Sequence, residues 1–225
     1  MTTRRFPPLV LFDLDGTLLD SAPDMLATVN RMRATRGQGP MLLAELRPHV
    51  SRGSRAMSTA AFPDLAGEVS PVMIREFLDI YETELGRNSV LFDGVAELLD
   101  AIEADGARWG IITNKPEYLA RQIMPQLGWE SRSAILLGGD SLPERKPHPL
   151  QLLHAANVLG VAISDCVYVG DDERDIAAAR AAGMRSIVAL WGYRGEGEEP
   201  AEWGADVMVQ TSSALLDSDV WDTLR

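Results

Sequence analysis

Cysteine is almost missing from this chain of 225 residues. Cys166 stands alone, so no internal disulfide can form. It lies in the apolar run Cys166-Val-Tyr-Val, the setting of a small buried hydrophobe rather than a reactive thiol. Long hydrophobic runs are missing too, and none approaches the roughly 20 apolar residues of a membrane span. The segment Met1–Pro8 carries basic residues, but Asp13 and Asp15 interrupt the apolar stretch behind it, so no signal-sequence core is expected. The expectation is a cytoplasmic protein. Positive charge is scarce, with 21 Lys+Arg against 33 Asp+Glu and a net charge of −12. Nucleic-acid binding and anionic membrane surfaces both call for clustered cations, so neither partner is expected. An anionic substrate would need a local cation to enter this field. The three histidines, His49, His148 and His154, are scattered without metal spacing, and His148 is expected to pack against the loop of Lys146. Repeats, low-complexity tracts and long charge runs are absent. The glycine-rich Gly192–Gly197 lacks a following helical pattern and a Lys-Ser/Thr ending, so it is not a phosphate-binding P-loop.

What is present describes a globular chain. Hydrophobic residues make up 46% and charged residues 24%, too apolar for disorder, and the length allows one large domain or one carrying a smaller one. Short apolar runs read as buried strands: Leu9–Phe12, Trp109–Thr113, Ala134–Leu137, Cys166–Val169, Ser186–Leu190 and Asp206–Val209. Between them lie helical patterns. Val95, Leu98, Leu99 and Ile102 fall at i, i+3, i+4 and i+7, and Leu119–Leu127, Leu150–Leu159 and Ile176–Ala182 repeat the theme. Gly106, Gly160 and Gly183 are natural stops. Continuous apolar strands separated by helices predict a doubly wound α/β fold with a parallel sheet covered on both faces. Residues 21–90 break the alternation with helical patterns only, far longer than a usual crossover. The expected organisation is a core of residues 1–20 and 91–225 with a helical subdomain, 21–90, inserted after the first strand and returning to the sheet near Leu91.

Ligands of such folds bind beyond the carboxyl ends of the strands. After the first strand comes Asp13-Leu-Asp15-Gly16-Thr17, in which Asp13 and Asp15 share a face. After the second come Thr113 and Asn114. Lys146 follows the third, between Arg145 and Pro147, and Gly170-Asp171-Asp172-Glu173-Arg174-Asp175 follows the fourth. Any one of these loops alone reads as turn and capping chemistry. Together they bring several carboxylates, a lysine and a Thr-Asn pair to one sheet edge. Clustered acids oppose one another's ionisation, and a hard cation, Mg2+ in particular, resolves that conflict with oxygen ligands.

In order and spacing these stretches resemble the four motifs of the haloacid dehalogenase superfamily, and the strandless insert resembles the helical cap of many of its members. Thr113–Pro116, Gly138–Asp140 and Lys146–Pro149 are most similar to bacterial phosphoglycolate phosphatases. Trp109–Pro116, Arg132–Ala134 and Trp203–Asp206 are also similar to N-acetylmuramic acid 6-phosphate phosphatases. The resemblance implies a Mg2+-dependent phosphatase acting on a small phosphomonoester, 2-phosphoglycolate ahead of N-acetylmuramic acid 6-phosphate, as a monomer or homodimer. A phosphomutase or a phosphate-binding module without catalysis are the rival readings. Asp13 would be the nucleophile and Asp15 the general acid and base. Mg2+ would be held by Asp13, the Asp15 carbonyl and Asp171, with Asp175 supporting. Thr113 and Asn114 would bind the phosphoryl oxygens, and Lys146 would balance charge. Asp172 reads equally as helix N-cap and metal contact. Lys115 reads as substrate contact or surface lysine. Arg52, beside Gly53, and Arg55 read as carboxylate binders from the cap or as exposed helix-end arginines.

Overall fold

The computed structural model describes residues 5–65 and 69–224. Met1–Arg4 of the basic N-terminal segment lie outside the described residues, as do residues 66–68 of the insert and Arg225. Strand β1 (Leu9–Phe12) is followed by β2 (Leu19–Asp20) and by four helices of the insert, α1 (Ala22–Thr35), α2 (Leu43–Leu46), α3 (Gly53–Ala61) and α4 (Pro71–Glu84). Then come β3 (Val90–Leu91), α5 (Val95–Ala104), β4 (Arg108–Ile112), α6 (Glu117–Leu127), β5 (Leu136–Leu137) and α7 (Leu150–Leu159). The chain closes with β6 (Cys166–Gly170), α8 (Glu173–Ala182), β7 (Arg185–Ala189), β8 (Val207–Val209) and α9 (Ser218–Asp222).

Six strands form a parallel sheet in the order β5-β4-β1-β6-β7-β8. All four residues of β1 are fully buried, because the strand lies between β4 and β6 and is covered on both faces. Val10 and Phe12 join Leu98 and Leu99 of α5 and Leu119 and Ile123 of α6. Leu9 and Leu11 turn to Leu152 and Ala155 of α7 and Ala178 of α8. This two-sided burial explains the unbroken apolar runs. From β1 the chain winds outward to β4 and β5, then crosses back to β6 and winds the other way. The reversal beside β1 opens a crevice at the strand ends. Helices α7 and α8 end at Gly160 and Gly183 as expected, each glycine in the left-handed region with its N–H returned to the last turn.

The insert does not return directly to the main sheet. The chain entering and leaving the insert pairs as a separate antiparallel ribbon, Leu19 opposite Leu91 and Asp20 opposite Val90. Strands of two residues carry no periodicity, so neither was legible. A buried carboxylate reinforces this closure. Asp24 of α1 accepts hydrogen bonds from the backbone N–H groups of Gly86 (2.7 Å) and Asn88 (2.6 Å) and from Ser89 Oγ (2.5 Å). Helix α1 packs on α4, and Met25, Val29, Phe77 and Tyr81 run into the same apolar cluster as Val10 and Phe12. Among the described residues no helix is long and apolar enough to cross a membrane.

Candidate active site

The carboxyl ends of three adjacent strands, β1, β4 and β6, present Asp13, Thr113 and Asp171 to the crevice. Asp13 continues the β1 ladder by donating its N–H to Val169 O (2.9 Å). Asp13, Asp171 and Asp175 each offer a carboxylate oxygen, and these three atoms lie within 4.8 Å of one another. All three side chains are buried. Burial first, and then the charges of Asp13 and Asp175, push the Asp171 carboxyl well above the usual range, against the pull of its hydrogen bonds from Thr17 and the Tyr193 N–H. Burial likewise raises Asp175, to about 6, although Lys146 opposes it. Three buried oxygen donors that resist sharing their charge fit a hard divalent cation.

Lys146 is 2% exposed. Its Nζ lies 2.9 Å from Asp13 Oδ1, 2.7 Å from Asp175 Oδ1 and 2.8 Å from the Tyr168 hydroxyl. Three acceptors match the three N–H bonds of an ammonium group. Burial would lower its pKa, but the two carboxylates outweigh that effect and hold it above the ordinary lysine value. The Lys146–Pro147 peptide is cis. His148 does not pack against this loop as expected. It is exposed, and its Nδ1 accepts the Leu150 N–H (3.2 Å) at the start of α7.

Asp15 points elsewhere. Its carboxylate lies outside the trio and meets Lys115 Nζ at 3.1 and 3.2 Å, so any metal contact by Asp15 falls to its backbone carbonyl. Lys115 is therefore a buried partner of Asp15, although it also lines the crevice. Gly16, at φ +92°, lets the first loop close on the fourth: a Cβ there would stand 2.3 Å from Asp171 Oδ2. Thr113 is buried beside the crevice, its Oγ1 accepting the Lys115 N–H (3.2 Å). Asn114 also lines the crevice, and its side-chain Nδ2 donates to the Lys146 carbonyl (3.0 Å), which ties two loops together. Asp172 resolves as the N-cap of α8, accepting from Arg174 N (2.9 Å) and pairing with its guanidinium (2.7 Å).

A cavity of about 400 Å³ separates this floor from the insert. Asp13, Asp15, Thr113 and Asn114 line it from below, and Arg52, Gly53, Met57, Phe77 and Tyr81 line it from above. The loop ahead of α3 touches the floor. Ser51 Oγ donates to Asp171 Oδ2 (3.0 Å), and the Arg174 guanidinium donates to the Ser51 carbonyl. Arg52 is paired with Glu198 (2.6 Å), and Arg55 donates to the Val69 carbonyl (2.8 Å). The other contributors missed by sequence reasoning are Thr17, whose Oγ1 donates to Asp171 Oδ1 (2.8 Å), Tyr168, Tyr81 and Tyr193, whose N–H donates to Asp171 Oδ2 (3.0 Å). Only Thr17 carried a signal, as the last residue of the Asp13–Thr17 loop. Gly192 packs against the floor of the crevice, beside Asp171 and Gly16. It gives Asp171 room, since a Cβ there would stand 2.2 Å from Asp171 Cβ.

Comparison with known proteins agrees with this geometry. The profile of the haloacid dehalogenase-like hydrolases matches residues 10–189. The phosphoglycolate phosphatase of Xanthomonas campestris pv. campestris is 59% identical over 217 residues, covering 96% of this chain and 98% of that one. The N-acetylmuramic acid 6-phosphate phosphatase of Pseudomonas aeruginosa is 44% identical over 210 residues, covering 92% of each. The crystal structure of a predicted phosphoglycolate phosphatase from Haemophilus somnus superposes with a TM-score of 0.81 at 27% identity, covering 96% of this chain and 98% of that one. With its strand-end acids, its buried lysine and a profile match from the first strand through the seventh, the chain belongs to the haloacid dehalogenase-like hydrolases.

Proposed function

We propose that this chain is a Mg2+-dependent phosphatase of small phosphomonoesters, with 2-phosphoglycolate as its first candidate substrate. One observation carries the reading: three buried carboxylates and a buried ammonium, Asp13, Asp171, Asp175 and Lys146, meet at the floor of a cavity large enough for a metabolite. A carboxylate oxygen of Asp13 attacks phosphorus, the ester P–O bond breaks as the Asp13 O–P bond forms, and Asp15 gives a proton to the leaving oxygen. Water then attacks the aspartyl-phosphate while Asp15 accepts its proton, releasing phosphate and restoring Asp13. Asp13, Asp171 and the Asp15 carbonyl, with Asp175 in support, would hold Mg2+, which would supply the charge neutralisation that lets a carboxylate meet an anionic phosphoryl group. Lys146 offsets the charge of Asp13 and of the incoming phosphoryl group, and Thr113 offers its hydroxyl to a non-bridging oxygen. Residues 21–90 act as the cap that closes over the ligand and excludes water, in a cytoplasmic protein.

N-acetylmuramic acid 6-phosphate is the second reading, and the cavity itself favours it. About 400 Å³ roofed by Met57 and Phe77 exceeds what a two-carbon acid fills and suits a sugar. Phosphate release measured over a metabolite panel containing both esters decides between them. Asp13→Asn should abolish turnover of every ester in the panel. Retained activity, or an isomerised product without free phosphate, would sink the phosphatase reading.

A further inference from the structure

One ammonium group joins the sheet, the insert and the proposed acid. Lys115 follows β4 and is 7% exposed. Its Nζ stands 3.1 and 3.2 Å from the two carboxylate oxygens of Asp15. It also lies 2.5 Å from the Tyr81 hydroxyl and 4.4 Å from the centre of the Tyr81 ring. Tyr81 belongs to α4 of the insert and is itself buried. Burial, and then the negative charge of Asp15 and Asp24, hold its phenol well above the ordinary pKa, so it meets the ammonium as a neutral ring and hydroxyl.

This arrangement constrains a torsion that is otherwise soft. Rotation about the Cβ–Cγ bond of an aspartate is broad and nearly free. A carboxylate held through both oxygens by one buried cation loses that freedom. Lys115 in turn needs the ring face and hydroxyl of Tyr81 to remain in a poorly solvated place. The direction in which Asp15 presents an oxygen therefore depends on a lysine of the sheet, and that lysine depends on a helix of the insert.

We infer that Lys115 and Tyr81 are a positioning pair that aims Asp15 at the leaving oxygen, so that proton transfer is competent only when Tyr81 of α4 meets Lys115. The inference rests on the reading of Asp15 as the proton donor.

The test compares esters that differ in how much they need that proton. The Mg2+-loaded wild type, Lys115→Met, Lys115→Arg, Tyr81→Phe and Asp15→Asn are assayed on p-nitrophenyl phosphate, whose leaving group departs without protonation. The second substrate is the alkyl ester turned over fastest in the panel. Lys115→Met should lower kcat on the alkyl ester on the order of 10- to 100-fold, with a loss about tenfold smaller on p-nitrophenyl phosphate and KM within about twofold for both. Tyr81→Phe should show the same bias at about 3- to 10-fold, and Lys115→Arg should recover most of the alkyl-ester rate. Equal losses on the two substrates, or a rise in KM with kcat retained, would overturn the inference, because Lys115 would then be structural or would bind the substrate itself. If Lys115→Met does not fold, Tyr81→Phe, which removes a single hydroxyl, decides alone. Asp15→Asn separates the two levels. If it lacks the leaving-group bias, the acid assignment fails and the pair falls with it. If it has the bias and both Lys115→Met and Tyr81→Phe lack it, only the pair is overturned.

Discussion

The floor and the roof of the cavity are built on opposite principles. On the floor, Asp13, Lys146, Asp171 and Asp175 are all buried, and each is bonded to another member or to a neighbouring tyrosine, threonine or backbone group. On the roof, Arg52 is half exposed and its ion pair with Glu198 faces solvent, while Met57 and Phe77 contribute only shape. Charges in the floor are held by low dielectric and by one another, so none can be removed without exposing an imbalance. Charges in the roof are screened, and their loss disturbs little else. On the proposed reading, reaction chemistry has a buried, mutually bonded setting and ligand choice a solvent-screened one.

The sharpest way to break this contrast is Lys146→Met. It leaves Asp13 and Asp175 without their shared cation, and the expected cost is about 3–5 kcal/mol in urea denaturation, together with loss of phosphate release. A cost below about 1 kcal/mol would show that the floor is wetter than its burial implies. Next in size is the response to Mg2+. Metal at about 100 times its Kd should add about 2.7 kcal/mol, a rise of roughly 5–10 °C in Tm for a chain of this size. Asp171→Asn should lose most of that rise in a thermal melt. The roof should answer differently. Arg52→Ala should shift stability by no more than about 0.5 kcal/mol, yet raise KM several-fold for a carboxylated phosphomonoester and much less for p-nitrophenyl phosphate. Equal KM effects would remove Arg52 from ligand choice.

The smallest effect belongs to the far end of β6. Burial, and then the charge of Asp165, push the Cys166 thiol up to about 11. At pH 8 only about 0.1% is then thiolate, and reactivity grows as pH rises toward that value. A thiol reagent should therefore modify the native protein far more slowly than the urea-unfolded chain. Equal rates would mean that the amino-terminal edge of the sheet opens freely.

Legibility in the sequence divides along the same line. Asp13, Asp15, Lys146, Asp171 and Asp175 could be read because parallel strands deliver their following loops to one edge, whatever the details of packing. Six apolar runs and their glycine-stopped helices were readable for the same reason, since burial on both faces leaves an unbroken pattern. Partners set by packing were not readable. Ser51 reaches Asp171 across 120 residues, and Tyr81 reaches Lys115 across 34. Neither pairing leaves a mark in local spacing. Asn114 shows the limit from the other side. Its place in the Thr-Asn loop was plain, but its amide hydrogen bond to the Lys146 carbonyl follows from how two loops abut. The β2–β3 ribbon was too short to announce itself.

The position of β1 between β4 and β6 also has a consequence in time. Leu9 pairs with Arg108 on one side and with Cys166 on the other. At about 5–20 residues per second, a ribosome needs roughly 8–30 s after making β1 to deliver β6. Throughout that interval β1 has at least one bare edge, and α1 to α4 are made before either of its sheet neighbours, β4 and β6. Long-range parallel pairing is slow and exposed to misassociation. The apolar side chains that α1 and α4 share with Val10 and Phe12, among them Met25, Val29, Phe77 and Tyr81, are therefore all synthesised before that edge can be closed by β6.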